Sequence, residues 1–177
     1  PAAQEGQPGD AGHGEMERIV KKLKKRMAYV LLDAPAGLGP GVSALLPASD
    51  HALVVTTPDD VAMRDAERAI ALTEAAGLPR PMLVVNRVRP DMVARGEMYS
   101  PQAVASALDV PLLGYVPEDR AVLAAAARHE SFMDTEGPAK QAMERIAQRF
   151  LGEFVPMPTM ERKLHWWQRG RNVGIGV

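Results

Sequence analysis

Cysteine is missing from all 177 residues. That excludes a disulfide framework, a thiol nucleophile and a cysteine-ligated zinc site within this chain, and it suits a reducing cytoplasm. The four histidines, His13, His51, His129 and His165, stand at no ligand spacing, so neither a histidine metal centre nor a Ser/His/Asp triad is expected. Apolar runs are short, none near the ~20 residues needed to cross a bilayer. The opening PAAQEGQPGDAGHG is polar and Gly/Pro-rich, unlike a secretory leader. Neither sign of charge dominates: 21 Lys and Arg stand against 22 Asp and Glu, a formal −1, which argues against a protein that coats nucleic acid. A phosphate loop is absent as well. The run Gly37-Leu38-Gly39-Pro40-Gly41 invites that reading, but Pro40 offers no N–H, no Gly-Lys-Ser/Thr follows, and no acidic ribose partner is obvious. It reads as a flexible loop.

What is present is 46% apolar residues, in short runs between charged segments, the composition of one soluble globular domain with a sizeable core. The chain opens on Pro1, not methionine, which fits a piece of something longer. Residues 1–14 read as a loop and 15–27 as a helix, with Met16, Ile19, Val20, Leu23 and Met27 on one side. Its other side, with Arg18, Lys21, Lys22, Lys24 and Lys25, reads as a solvated face in preference to a nucleic-acid patch. AYVLLD at 28–33 is expected to be a buried strand ending in a carboxylate, 42–46 a short helix, and ALVVTT at 52–57 a second strand. Asp59 or Asp60 caps a helix to about residue 76, which Gly77-Leu78-Pro79 ends. A third strand follows at 82–85, then a basic, proline-interrupted loop and a helix over 101–108. A fourth strand is expected at 111–116, a helix from Pro117-Glu118-Asp119 to about 128, and a long helix over 138–152. Buried strands alternating with helices predict an α/β fold: a doubly wound, mostly parallel sheet with helices on both faces. Four strands are few for such a sheet, so the chain reads as its later two thirds, incomplete at the N-terminus.

Chemistry in such folds gathers beyond the carboxyl ends of the strands. Asp33 ends the first strand ahead of a Gly-containing turn, where a carboxylate suits the water shell of Mg²⁺ and the turn backbone can approach a terminal phosphate. A strand-end aspartate that caps the next turn has the same spacing, and both readings stand. Asn86 and Arg87 end the third strand, with amide and guanidinium donors for a base edge or for neighbouring loop backbone. Pro117, Glu118 and Asp119 repeat the pattern, a proline wall followed by carboxylates that also suit helix capping. After the breaker run Val155-Pro156-Met157-Pro158, Thr159 can cap a short basic helix. In it Met160, Leu164 and Trp167 share a side flanked by Lys163, Arg162, His165 and Arg169 lie opposite, and Trp166 points off the apolar face. An interfacial membrane anchor has this pattern, and so does a partner-docking helix. The domain is thus expected over 1–154 and a linker with a membrane-targeting tail over 155–177.

YVLLDAPAG at 29–37, ALVVTTPDDVAMRDAERAI at 52–70, LVVNRVRPDMVARGEMYS at 83–100 and LLGYVPEDRAVLAAA at 112–126 are collinear with the MinD group. The chain resembles these septum-positioning ATPases of the ParA/MinD deviant-Walker family up to about Gly152. The segments 86–100 and 114–126 are the more specific to MinD. The resemblance implies a P-loop-NTPase-like fold and ATP bound with Mg²⁺ at the carboxyl edge of the sheet. Asp33 would be the catalytic Walker B carboxylate holding Mg²⁺ through water, and Pro35 to Gly37 a switch near the γ-phosphate. Asn86 and Arg87 would border the adenine, with Pro117, Glu118 and Asp119 closing its far side. Arg64, Asp65 and Glu67 match the helix start that faces MinC-like and MinE-like regulators. The tail matches the position of a membrane-targeting helix. An ATP-dependent homodimer is implied, cytoplasmic and peripheral on the inner face of the cell membrane. Three departures accompany the match. The GKGGVGKT-type loop is absent, so this chain alone is expected to be inactive. Gly39-Pro40 stand where many relatives carry Glu, and the tail lacks the Phe/Lys-rich pattern of the family's anchor. The rival readings are another ParA-group positioning or partition ATPase, and a non-catalytic interaction module built on the same fold.

Overall fold

The structure, a computed structural model, describes residues 10–35 and 37–158. The chain begins with α1 (Asp10–Leu23), α2 (Pro40–Leu45) and a 3-10 turn (Leu46–Ala48), which pack on one another around buried Val20 and Leu46. Then come β1 (Leu53–Thr56), α3 (Asp60–Ala75), β2 (Met82–Val88), α4 (Pro90–Arg95), α5 (Pro101–Leu108), β3 (Leu112–Pro117), α6 (Arg120–Ala127) and α7 (Pro138–Phe150). The three strands are parallel, in the order β1-β2-β3, with Val54 opposite Leu83 and Val85 opposite Tyr115.

The doubly wound arrangement follows from β2. Leu83 and Val85 point into a core shared with Ala66 and Ile70 of α3 and Val104 and Ala105 of α5. Val84 points into another, shared with Leu113 and Val116 and with Ala139, Ala142 and Ile146 of α7. A strand buried on both faces has no polar alternation to show, hence its continuous apolar run. Each side chain so buried contributes about 1.5–3 kcal/mol of transfer free energy. On β3, Gly114 lets α7 come close: a Cβ there would meet Ile146 Cγ1 at 2.4 Å. Arg149 then pins the helix. Its Nη1 donates to Leu113 O at 3.0 Å, and Nε and Nη2 donate to Val155 O and Pro156 O, each at 2.7 Å.

Capping chemistry sets the helix starts. Asp59 accepts from the Ala62 N–H at 3.0 Å, and Ser100 accepts from the Ala103 N–H at 3.1 Å. The Ala62 bond, joined by one from Thr57, holds the Asp59 carboxyl below its ordinary value of 3.8. A depressed folded-state pKa contributes stability that is present above the unfolded value and lost as pH falls through the folded one. Asp59→Ala is therefore expected to cost about 1 kcal/mol at neutral pH. That cost should vanish at a pH well below 3.8, which thermal melts of both forms at the two pH values check.

Several expectations need correction. Residues 28–33 form no strand: no described segment pairs with them, and Tyr29 and Leu31 are 60% and 87% exposed. An apolar run reports a capacity for burial, but a strand exists only in a ladder. β1 is paired along one edge alone, to β2, so the described sheet has three strands in place of four. Tyr29 instead rests against Phe150 of α7, ring centroids 6.0 Å apart. The loop expected over 1–14 gives way to α1 from Asp10, and the one expected after Arg87 contains α4, with Pro90 at its first position and left-handed Gly96 as its cap. Met160, Lys163, Leu164, Trp166, Trp167 and Arg169 lie outside the described residues.

Candidate functional site

The polar pair at the end of the third predicted strand lies within β2, which runs on to Val88. Leu83, Val84 and Val85 anchor the strand in both cores, so the side chains that follow emerge from rigid backbone at its carboxyl end. Asn86 Oδ1 accepts from the Arg87 backbone N–H at 2.8 Å. That bond fixes the amide orientation and leaves its Nδ2 donors without a partner among the described residues. Arg87 itself is left-handed, φ 55°, a conformation that costs a non-glycine residue about 1 kcal/mol or more and recurs at binding sites. The two-strand pairing slips here between Val85 and Val88.

β3 brings the second half. Pro117 ends the strand, and the Glu118 N–H donates to Val88 O at 2.8 Å, locking the two tips side by side. Glu118 Oε1 accepts from Arg87 Nη2 at 3.3 Å. Asn86, Arg87, Pro117 and Glu118 are thus brought to one edge. Asp119 is occupied differently. Its Oδ1 accepts from the Ala121 N–H at 2.9 Å, and its Oδ2 from the Ala139 N–H at 3.2 Å, so one carboxylate caps α6 and the start of α7. Gly137 makes room for it, since a Cβ there would meet Asp119 Oδ2 at 2.6 Å. Both uses are backbone capping, so Asp119 shapes this edge through the helices it holds.

The residues around Asp33 form a separate group. Asp33 is exposed and enters no hydrogen bond or ion pair among the described residues, and none joins Asp33, Pro35 or Gly37 to the β2–β3 tips. Pro35 packs over Gly41, where a Cβ would meet Pro35 Cγ at 2.7 Å. Gly37 is left-handed at φ 88°, so the glycine run is a built turn against α2. Arg64, Asp65 and Glu67 stand exposed along α3, where Asp65 pairs, among the described residues, with Arg68 at 3.5 Å. Near the start of that helix the Tyr99 hydroxyl donates to Asp60 at 3.1 Å, a bond that raises the phenol's pKa. Sequence reasoning passed over Arg89 and Gly137, and read Gly41 only as part of a flexible loop. Gly137 is visible only through its close contact with Asp119, and Gly41 through its contact with Pro35, while Arg89 sat inside a presumed loop.

A family model described as ParA, NUBPL iron-transfer P-loop NTPase, matches residues 13–151. The chain belongs to the ParA/MinD family of P-loop NTPases. It is 36% identical over 165 residues to the septum site-determining protein MinD of Bacillus subtilis strain 168, covering 92% of this chain and 62% of that protein. The MinC:MinD cell division protein complex of Aquifex aeolicus superposes with TM-score 0.78 at 31% identity, over 82% of this chain and 62% of that one. MinD complexed with Mg-ADP from Pyrococcus horikoshii OT3 gives 0.67 at 26%, over 77% and 55%. The chain spans about three fifths of the length of the curated relatives it matches.

The donor sets suit this ParA/MinD membership. No group of three or more His, Asp or Glu that could hold a metal ion by itself occurs among the described residues. One free carboxylate, as at Asp33, suits Mg²⁺, which keeps its waters and binds chiefly through substrate phosphates. The free Nδ2 donors of Asn86 suit the ring-nitrogen acceptors of a base.

Proposed function

We propose that the protein is an ATP-dependent, membrane-associated regulator of division-septum placement, a MinD-type ATPase. The observation that carries this is the joined tip of β2 and β3. There a rigid strand presents free Asn86 donors and the Arg87 guanidinium beside Pro117 and Glu118. In this reading Asn86 and Arg87 border the adenine, Pro117 and Glu118 form its far wall, and Asp119 sets that wall by holding α6 and α7. Asp33 orients the waters of a bound magnesium, with Pro35 and Gly37 shaping the turn near the γ-phosphate. Magnesium, when bound, neutralises charge on the phosphates. Residues 1–154 act as part of the ATPase domain, and 155–177 as linker and tail.

The regulatory surface is α3 with Arg64, Asp65 and Glu67, which takes a MinC-like inhibitor and a MinE-like activator. The existence of a MinC:MinD complex in a relative supports the first. ATP drives homodimerisation, which doubles a tail that is weak alone and turns two marginal membrane contacts into one firm attachment. The protein then cycles between the cytoplasm and the inner face of the cell membrane.

Asn86→Ala in the protein as its gene encodes it is expected to weaken ATP binding about tenfold, the value of a well-made hydrogen bond to a bound ligand. It should also raise the ATP concentration needed for co-sedimentation with anionic vesicles. Calorimetry and vesicle sedimentation check both. An unchanged dissociation constant would remove the adenine site from these strand tips. Sedimentation indifferent to ATP would rule out the membrane cycle.

A further inference from the structure

Beyond α7 the domain carries an exposed apolar end. Phe154 is 95% exposed and Leu151 53%, and Tyr29, whose ring rests on Phe150, is 60% exposed. A single apolar side chain in water is ordinary, but the backbone beneath Phe154 is fastened on both sides. Before it, α7 closes on left-handed Gly152 at φ 88°, and the Glu153 N–H donates to Gln148 O at 3.0 Å. After it, the Arg149 guanidinium holds Val155 O and Pro156 O, each at 2.7 Å, and the Tyr115 hydroxyl lies 3.5 Å from Pro158 O. Phe154 thus stands on a fixed turn just ahead of Thr159, where the basic amphipathic segment of the sequence begins. The same end is cationic. Arg145 lies one turn before Arg149 on α7, and its charge adds to burial in lowering the Arg149 pKa. Among the described residues no acid forms an ion pair with either arginine. Glu144 acts on Lys140, and Glu153 stands exposed in the turn.

We propose that Phe154 and Leu151 form a second membrane contact, carried by the folded domain: an apolar foot that enters the interface of an anionic bilayer beside the tail, with Arg145 and Arg149 drawing the lipid phosphates. This rests on the membrane attachment proposed above and adds a site outside the tail. Interfacial binding needs apolar side chains that reach past the headgroups and cations that stay level with them. Both are present at this end. A side chain 95% exposed offers a partner protein a peg that requires a matching hole, whereas a fluid bilayer requires none. The hydrogen bonds on either side of Phe154 have already ordered its backbone, so seating it costs little further entropy. Because the turn is tethered closely to the tail, insertion of one raises the effective concentration of the other, and two weak contacts become one firm attachment. Two points of contact also fix which way the domain faces on the membrane.

The test is co-sedimentation of the protein as its gene encodes it, with ATP, on phosphatidylcholine vesicles with and without phosphatidylglycerol. On the anionic vesicles Phe154→Ser is expected to weaken partitioning about tenfold, the low end for burying one aromatic side chain because insertion is shallow. Phe154→Trp should keep the affinity or tighten it, since tryptophan suits the membrane interface. Arg145→Gln should weaken binding about fivefold, and only where phosphatidylglycerol is present. Melting temperature and ATP affinity should match the parent's in both Phe154 variants, because that side chain is 95% exposed. Phe154→Ser sedimenting like the parent, or Phe154→Trp losing as much as Phe154→Ser, overturns the foot while ATP-dependent sedimentation of the parent keeps the tail. A parent that stays in solution with ATP removes membrane attachment altogether, and the foot with it.

Discussion

Asparagine in place of Asp33 is expected to lower ATP hydrolysis by the intact protein about 10²-fold or more, the range for losing one preorganised electrostatic group at a transferring phosphoryl. The same change should leave the melting temperature where it was. Asp33 is exposed and makes no hydrogen bond or ion pair among the described residues, and such surface positions tolerate substitution within about 0.5 kcal/mol. The two readouts separate the two readings that spacing alone leaves open. An aspartate that merely caps the turn before Gly37 would leave turnover untouched in the asparagine form and, because asparagine caps equally well, would cost about 1 kcal/mol of the fold only in Asp33→Ala. Steady-state hydrolysis and a thermal melt on one preparation decide it. Turnover above a tenth of the parent's would end the Walker B assignment.

The second large effect is on stability. Gly114→Val is expected to destabilise the chain by about 3 kcal/mol, at the upper end for inserting methyl groups into a packed core. A Cβ at that position already falls 2.4 Å from Ile146 Cγ1 and 3.2 Å from Arg149 Nη1. Neither neighbour can step aside easily. Ile146 is buried in the second core, and Arg149 is tied to three carbonyls on two sides of the helix. Gly114 is not left-handed, so the cost is purely one of space, and Gly114→Ala should lose less than valine. In a thermal melt the valine form should drop by roughly 10 °C for a chain of this size. A drop under about 2 °C would mean that α7 does not lie on β3 as described.

Much of this was legible along the chain because local chemistry and burial agree there. The run at 82–85 is apolar on both sides because both sides are covered, whereas at 53–56 only one side is, with Leu53 and Val55 exposed; Asp59 and Ser100 announce helices because a short side-chain oxygen reaches the N–H three residues on. The Asn86-Arg87 pair was visible as a change from apolar to polar at a strand end. Residues 28–33 show where that logic fails: AYVLLD has a strand's composition, yet Leu31 is 87% exposed because no described strand lies alongside. α4 was hidden for the opposite reason, since one turn opening on a proline reads as a break.

The order of chain chemistry alone determined that parallel βαβ units would form and that polar groups would stand at their carboxyl ends. Strand composition, capping residues and helix breakers act over a few neighbours, and these are what an unfolded chain already carries. Tertiary structure decided what each of those groups could do. It set Glu118 between Arg87 and Arg89, turned the two oxygens of Asp119 to the backbone N–H groups of Ala121 and Ala139, and left Asp33 without a partner among the described residues. Hydrogen bonds and ion pairs depend on distances of a few ångströms between segments far apart in sequence, and only the packing of helices on the sheet defines those distances.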